Sequence, residues 1–120
     1  MKQLESLDGV INTMAGKYHV KPFVWRGIKF DSKAEGNRYE VLRAWEKEGR
    51  IVALHFHGIH FHLGKNDKGR QTIYTPDFTY LEDGVLIAEE VKGVRVRDFP
   101  VRAALFKTVF PEWTLRVIQV

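Results

Sequence analysis

Tyr74 to Gly93 reads Tyr-Thr-Pro-Asp-Phe-Thr-Tyr-Leu-Glu-Asp-Gly-Val-Leu-Ile-Ala-Glu-Glu-Val-Lys-Gly, and this stretch decides the fold. Two β-rich runs flank Asp83-Gly84, a pair that tolerates positive φ at both central positions of a tight turn, so the stretch predicts a β-hairpin with a two-residue loop. Counting outward, Glu82 faces Val85, Leu81 faces Leu86 and Asp77 falls opposite Glu90. Opposed residues share a face, and side-chain alternation adds Lys92 to it. Two carboxylates and an ammonium group therefore converge on one patch of sheet. Opposed like charges destabilise a strand pair. A hard divalent cation, Mg²⁺ or Mn²⁺, reverses that cost, because carboxylate oxygens are its preferred ligands. The plainer alternative is solvated strand charge at Glu90 and Lys92 and turn chemistry at Pro76-Asp77.

At 120 residues the chain is long enough to bury a core as one domain. It has no cysteine, which excludes disulfides, Cys-ligated zinc and thiol catalysis. Met1 to Gly16 lacks the pattern of a signal peptide, and no apolar run approaches a membrane span. The expectation is a soluble cytoplasmic protein. The formal net charge is +4, and between Lys92 and Lys107 five cations (Lys92, Arg95, Arg97, Arg102, Lys107) stand against one acid, Asp98. A basic segment starting where the acidic patch ends points to a phosphate-bearing partner.

Leu4, Leu7, Ile11 and Met14 recur at helical spacing, so residues 1–16 read as an arm or short helix before a single domain at 17–120. Phe23 to Phe30 reads as a small hairpin about Arg26-Gly27. A first helix starts at Ser32 and runs to about Glu48, ended by Gly49, with Tyr39, Leu42 and Trp45 or Glu46 on its inward stripe. Glu35 lies at the start of that stripe. It either closes a capping box with the Ser32 amide or points over the sheet as a third carboxylate. Ile51 to Leu63 reads as one strand with a bulge at Gly58, which puts His55, His57, His60 and His62 on its polar face. Zinc held by His-x-His pairs is an alternative there, but no cysteine or acid completes the set. Gln71 to Leu81 and Val85 to Lys92 form the central hairpin. Phe99 to Phe110 reads as a second helix with Val101, Leu105, Phe106 and Val109 as its apolar side, and Trp113 to Val120 as a last strand. The result is a small α/β domain with a mixed sheet covered by helices.

Three motifs stand in order: Gly-Ile-Lys-Phe-Asp-Ser-Lys-x-Glu-x-x-Arg-Tyr at Gly27–Tyr39, Tyr-x-x-Asp-Phe-x-Tyr at Tyr74–Tyr80, and Glu-Val-Lys-Gly at Glu90–Gly93. With them the chain resembles the PD-(D/E)xK nuclease superfamily over roughly Gly16 to Val117. More narrowly it resembles a family of small phage and prophage proteins in that superfamily, long catalogued as a domain of unknown function. The resemblance implies a restriction-endonuclease-like core (α-β-β-β-α-β), a central mixed sheet flanked by helices, and a metal-dependent DNA endonuclease. Asp77 and Glu90 would bind Mg²⁺ (or Mn²⁺) together with the Val91 backbone carbonyl. Lys92 would position or deprotonate the attacking water, and Glu35 would be the helix acid. Arg38, Arg95, Arg97, Arg102, Lys107 and His57 are the expected contacts to DNA, duplex or branched. Cutting of a junction would call for a homodimer, with the apolar stripe of the arm as its contact. Where relatives often carry Gln-Pro after the first core strand, this chain has His57-Gly58. The rival expectations are a nucleic-acid-binding protein of the same fold without cleavage, and a structural protein whose acids only cap and solvate.

Overall fold

A computed structural model describes residues 23–25, 27–92 and 99–120. The apolar stripe of the N-terminal arm, Arg95 and Arg97 lie outside the described residues. The chain falls into two compact units, residues 1–41 and 42–120, with the boundary inside the first described helix.

In the first unit, strands β1 (Phe23–Trp25) and β2 (Ile28–Phe30) form the expected antiparallel hairpin, with Trp25 opposite Ile28. Phe23, Trp25 and Phe30 are buried. Helix α1 (Lys33–Lys47) follows at once. The Ser32 hydroxyl accepts from the Glu35 amide (3.2 Å) as an N-cap, and the Glu35 carboxylate turns back onto the Asp31 amide (3.1 Å). The capping box therefore forms one residue further back than expected, on Asp31 rather than Ser32. A β-carbon at Gly36 would lie 3.0 Å from the Phe23 ring, so glycine lets α1 lie this close to the hairpin without displacing the ring. Tyr39 completes the cluster, its ring 5.3 Å from Phe30 and 6.4 Å from Trp25.

In the second unit α1 ends as the sequence requires. The Arg50 amide donates to the Trp45 carbonyl (2.9 Å) and Gly49, at φ +80°, donates to Glu46 (3.1 Å). These are the two bonds of a Schellman motif. Strands β3 (Val52–Phe56), β6 (Phe78–Glu82), β7 (Val85–Lys92) and β8 (Trp113–Gln119) make a four-stranded mixed sheet in the order β3-β6-β7-β8. β7 pairs antiparallel with β6 and parallel with β8. The parallel step needs a crossover, which contains helix α2 (Phe99–Val109). The chain is thus a mixed α/β protein with a central mixed sheet and two described helices.

Two long strands read from the sequence are each broken in two. Ile51–Leu63 becomes β3 and β4 (Phe61–Lys65), and Gln71–Leu81 becomes β5 (Gln71–Tyr74) and β6. β4 and β5 leave the central sheet and pair with each other, Phe61 opposite Tyr74. In Gln71–Leu81 the break falls at Pro76, which has no amide to continue a ladder. In Ile51–Leu63, His57 takes φ +54° where β3 ends. The bulge lies at Ala53 (φ +59°), where the register to β6 slips, and not at Gly58. Gly58 has a different reason to be glycine: a β-carbon there would sit 2.9 Å from that of His55.

The core of this unit gathers Phe61, Leu63, Tyr74, Ala88 and Phe106, with Ile59, Phe99, Phe110, Trp113 and Leu115 around them. Phe61 meets Phe106, Phe110 and Trp113 edge-on at 4.9–5.0 Å. That aromatic cluster sets the orientation of α2. Of the expected apolar side only Phe106 is buried, while Val101, Leu105 and Val109 face outward. Rings bury more area than branched aliphatics, so the aromatic face wins the core. Among the described residues no helix is long and apolar enough to cross a membrane.

Candidate metal centre

The β6–β7 turn has positive φ at both central residues, Asp83 (+52°) and Gly84 (+79°), which the Asp-Gly pair supplies at little strain. The register that follows runs from Glu82↔Val85 to Phe78↔Glu89, the phase counted from the sequence, and Asp77 and Glu90 are the residues just beyond that last pair. Both are buried, at 7% and 8% exposure. Asp77 stands between Pro76 and β6, where the chain passes from one sheet to the other.

Each carboxylate is held at both of its oxygens. Asp77 Oδ2 accepts from the Val91 amide (2.8 Å) and Oδ1 lies 3.3 Å from His57 Nε2. The His57 amide also donates to the Asp77 carbonyl (2.9 Å), and its ring stacks on Phe56 at 4.0 Å. Glu90 Oε1 accepts from the Tyr74 hydroxyl (2.6 Å), and Oε2 pairs with Lys92 Nζ (3.0 Å). Lys92 sits 4.6 Å over the Phe99 ring. Burial pushes the Glu90 carboxyl above the usual carboxylate range and the charge of Asp77 pushes it further, against the hydrogen bonds of Tyr74 and Lys92. Tyr74 is pushed up strongly as well, first by burial and then by Glu90, so its hydroxyl remains a donor. An ionised carboxylate offers about four acceptor positions, so the two donors on Glu90 leave capacity for a cation.

The other expected residues are distributed as follows. Glu35 lies buried in the first unit, where its carboxylate holds the Asp31 amide. Arg38, half-buried, belongs to the same unit. Arg102 and Lys107 are exposed on α2, and Arg102 is near enough to Tyr74 to act on its ionisation. The histidines separate: His57 goes to Asp77, His60 Nδ1 to the Thr75 hydroxyl (2.7 Å), and His55 and His62 to solvent. Among the described residues they form no common ligand group.

Two features were not legible in the sequence. Tyr74 stands in a quoted motif, but its strand breaks before Asp77, so no register count leads it to Glu90. On the opposite face of β7, Glu89 is wholly buried and accepts from the Tyr80 hydroxyl, which in turn accepts from Arg116 Nη1 (3.0 Å). Arg116 also bonds Glu82 (3.0 Å), which it holds below the usual carboxylate range. This second cluster ties β6, β7 and β8 together. No curated protein matches the chain, and no solved structure does. Residues 15–120 match the model of a family described as "Protein of unknown function (DUF1064)".

Proposed function

The chain belongs to that family, and from the site it carries we propose that it is a metal-dependent DNA endonuclease of the PD-(D/E)xK type. One observation supports this above the rest: two buried carboxylates, Asp77 and Glu90, lie near enough for the charge of one to act on the other, with the Lys92 ammonium 3.0 Å from Glu90. A chain that only had to fold gains little from the pair, since Glu90 is pushed up by burial and by Asp77. The donor set, carboxylate oxygens in a part-closed site, fits Mg²⁺ or Mn²⁺. Asp77 and Glu90 would hold the ion, with the Val91 carbonyl as a further ligand. When bound, such an ion lowers the pKa of a water and neutralises charge on a scissile phosphate.

The chain's own groups do the rest. The Val91 amide and His57 fix the two oxygens of Asp77, and Tyr74 fixes one oxygen of Glu90. Lys92 brings a positive charge to the second oxygen, from which it can donate to the attacking water or to a phosphate oxygen. Arg102 and Lys107 add exposed positive charge on α2 for the DNA backbone.

Labelled linear, flap and four-way-junction DNA incubated with Mg²⁺, with Mn²⁺ and with EDTA tests the reading, beside Asp77→Asn and Glu90→Gln. The expected result is cutting that needs the metal and falls at least about 10²-fold in both variants, at the upper end of losses around a metal site. Folded wild-type protein that binds DNA but cuts none of these substrates in either metal would sink it in favour of a binding protein of the same fold.

A further inference from the structure

The strands that leave the central sheet end in a feature the nuclease reading does not use. β4 and β5 are anchored at their base, where Phe61, Leu63 and Tyr74 are buried in the core. At their far end Lys65 pairs with Gln71 across a loop containing Lys68 and Arg70, and residues 64–71 are all exposed. The loop is ordered by its own bonds. Asn66 Oδ1 accepts from the amides of Lys68 and Arg70 (2.9 Å each), the Asn66 amide donates to Arg70 (2.8 Å), and Gly69, at φ +79°, donates to Asn66 (3.0 Å).

The cations at this tip are unlike the others described on the sheet. Arg50 and Arg116 both pair with Glu82, and Lys92 pairs with Glu90. Among the described residues, Lys65, Lys68 and Arg70 make no ion pair, and neither does their neighbour Asp67. Three cations against the single acid Asp67 leave an excess of positive charge on a fixed loop, which brings no folding gain. Charge for solubility needs no such ordering. A polyanion with regularly spaced charges does benefit, because a prearranged set of cations loses less entropy on binding.

The base of the hairpin touches the metal centre. Tyr74, the last residue of β5, donates to Glu90, and His60, just before β4, bonds Thr75. Arg70 lies four positions before Tyr74, just ahead of β5. At about 3.3 Å per residue the tip lies roughly 13 Å along the strand from Tyr74. One DNA strand advances about 3.4 Å per nucleotide, so that reach corresponds to about four nucleotides. We propose that the β4–β5 hairpin is a DNA-backbone clamp, with Lys65, Lys68 and Arg70 contacting phosphates a few nucleotides from the scissile one. The proposal rests on the nuclease reading of Asp77 and Glu90 and adds to it the element that holds the substrate.

The test compares wild type with Lys65→Ala/Lys68→Ala/Arg70→Ala and with the charge-keeping Lys65→Arg/Lys68→Arg/Arg70→Lys. Affinity for a labelled duplex is measured in EDTA, where nothing is cut, from 50 to 300 mM salt. Each phosphate contact contributes about 0.9 to the slope of log affinity against log salt, so the alanine variant is expected to be shallower by about 2 to 3. The charge-keeping variant is expected to keep the wild-type slope. In Mg²⁺ the alanine variant should show a raised KM with kcat within about twofold, since uniform binding is what it loses. An alanine variant with unchanged slope and affinity overturns the clamp while leaving the metal centre standing. Wild type that binds no DNA at any salt overturns the nuclease reading and the clamp with it.

Discussion

Replacing Tyr74 by Phe removes one oxygen and tests how the proposed metal centre is held. The ring stays where the core needs it, 5.3 Å from Phe106 and 6.4 Å from Phe99, so little packing is lost. What disappears is a 2.6 Å hydrogen bond to Glu90 Oε1. A bond to an ionised acceptor contributes about 1.5–3 kcal/mol, against about 0.5–1.5 for a neutral one. The loss is therefore expected to depend on pH. Burial and Asp77 raise the folded-state pKa of Glu90, so its contribution to stability is fully present below the unfolded value and is lost as pH rises through the folded one. Tyr74 opposes that rise by holding the charged form, so its removal costs most above the folded pKa, where Glu90 is ionised. For a chain of this size about 1 kcal/mol moves Tm by roughly 4 °C. A drop of about 6–12 °C at a pH above the folded-state midpoint of Glu90, and of about 2–6 °C at a pH below its unfolded value, is the expected result of thermal unfolding. Calorimetric titration with Mn²⁺ should show affinity about 10- to 100-fold weaker, the usual effect of removing a group that orients a ligand. An equal drop at both pH values together with unchanged Mn²⁺ affinity would refute the reasoning and leave Tyr74 as packing only.

Asp77→Asn removes the charge that raises Glu90, so the Glu90 carboxyl carbon, followed by NMR, should titrate at lower pH than in wild type. A midpoint that does not move would mean that the two carboxylates are not coupled. Gly84→Ala places a side chain at φ +79° and is expected to cost about 1–2 kcal/mol in denaturant unfolding, with Mn²⁺ affinity unchanged. Gly58→Ala sets a β-carbon 2.9 Å from that of His55, and a loss of about 1–3 kcal/mol should follow. Since the nearest atom is the His55 β-carbon, His55→Ala should not restore stability in that background, and a restoration would show the clash to be with the ring.

The sequence alone determined whatever is fixed by residues close together in the chain. Asp83-Gly84 set the turn, the turn set the register, and the register carried Asp77 and Glu90 to the end of the paired strands, with Lys92 beside Glu90. Ser32 and Gly49 bounded the first helix by the same local logic, within one or two residues. The tertiary structure decided what depends on competition between distant groups. Apolar alternation through Ile51–Leu63 and Gln71–Leu81 is equally compatible with one sheet or two, and the choice fell at His57 and Pro76, where the ladder stops. Helix α2 offered an aliphatic and an aromatic face, and the rings of Phe61 and Trp113, remote in sequence, selected the aromatic one. The Tyr74 contact with Glu90 follows from that break, because a tyrosine in a continuous strand would have been carried past the site. Local rules fix backbone angles and strand phase, since those depend on a few adjacent residues. Which faces meet is settled only by the buried area and hydrogen bonds that the whole chain gains on closing.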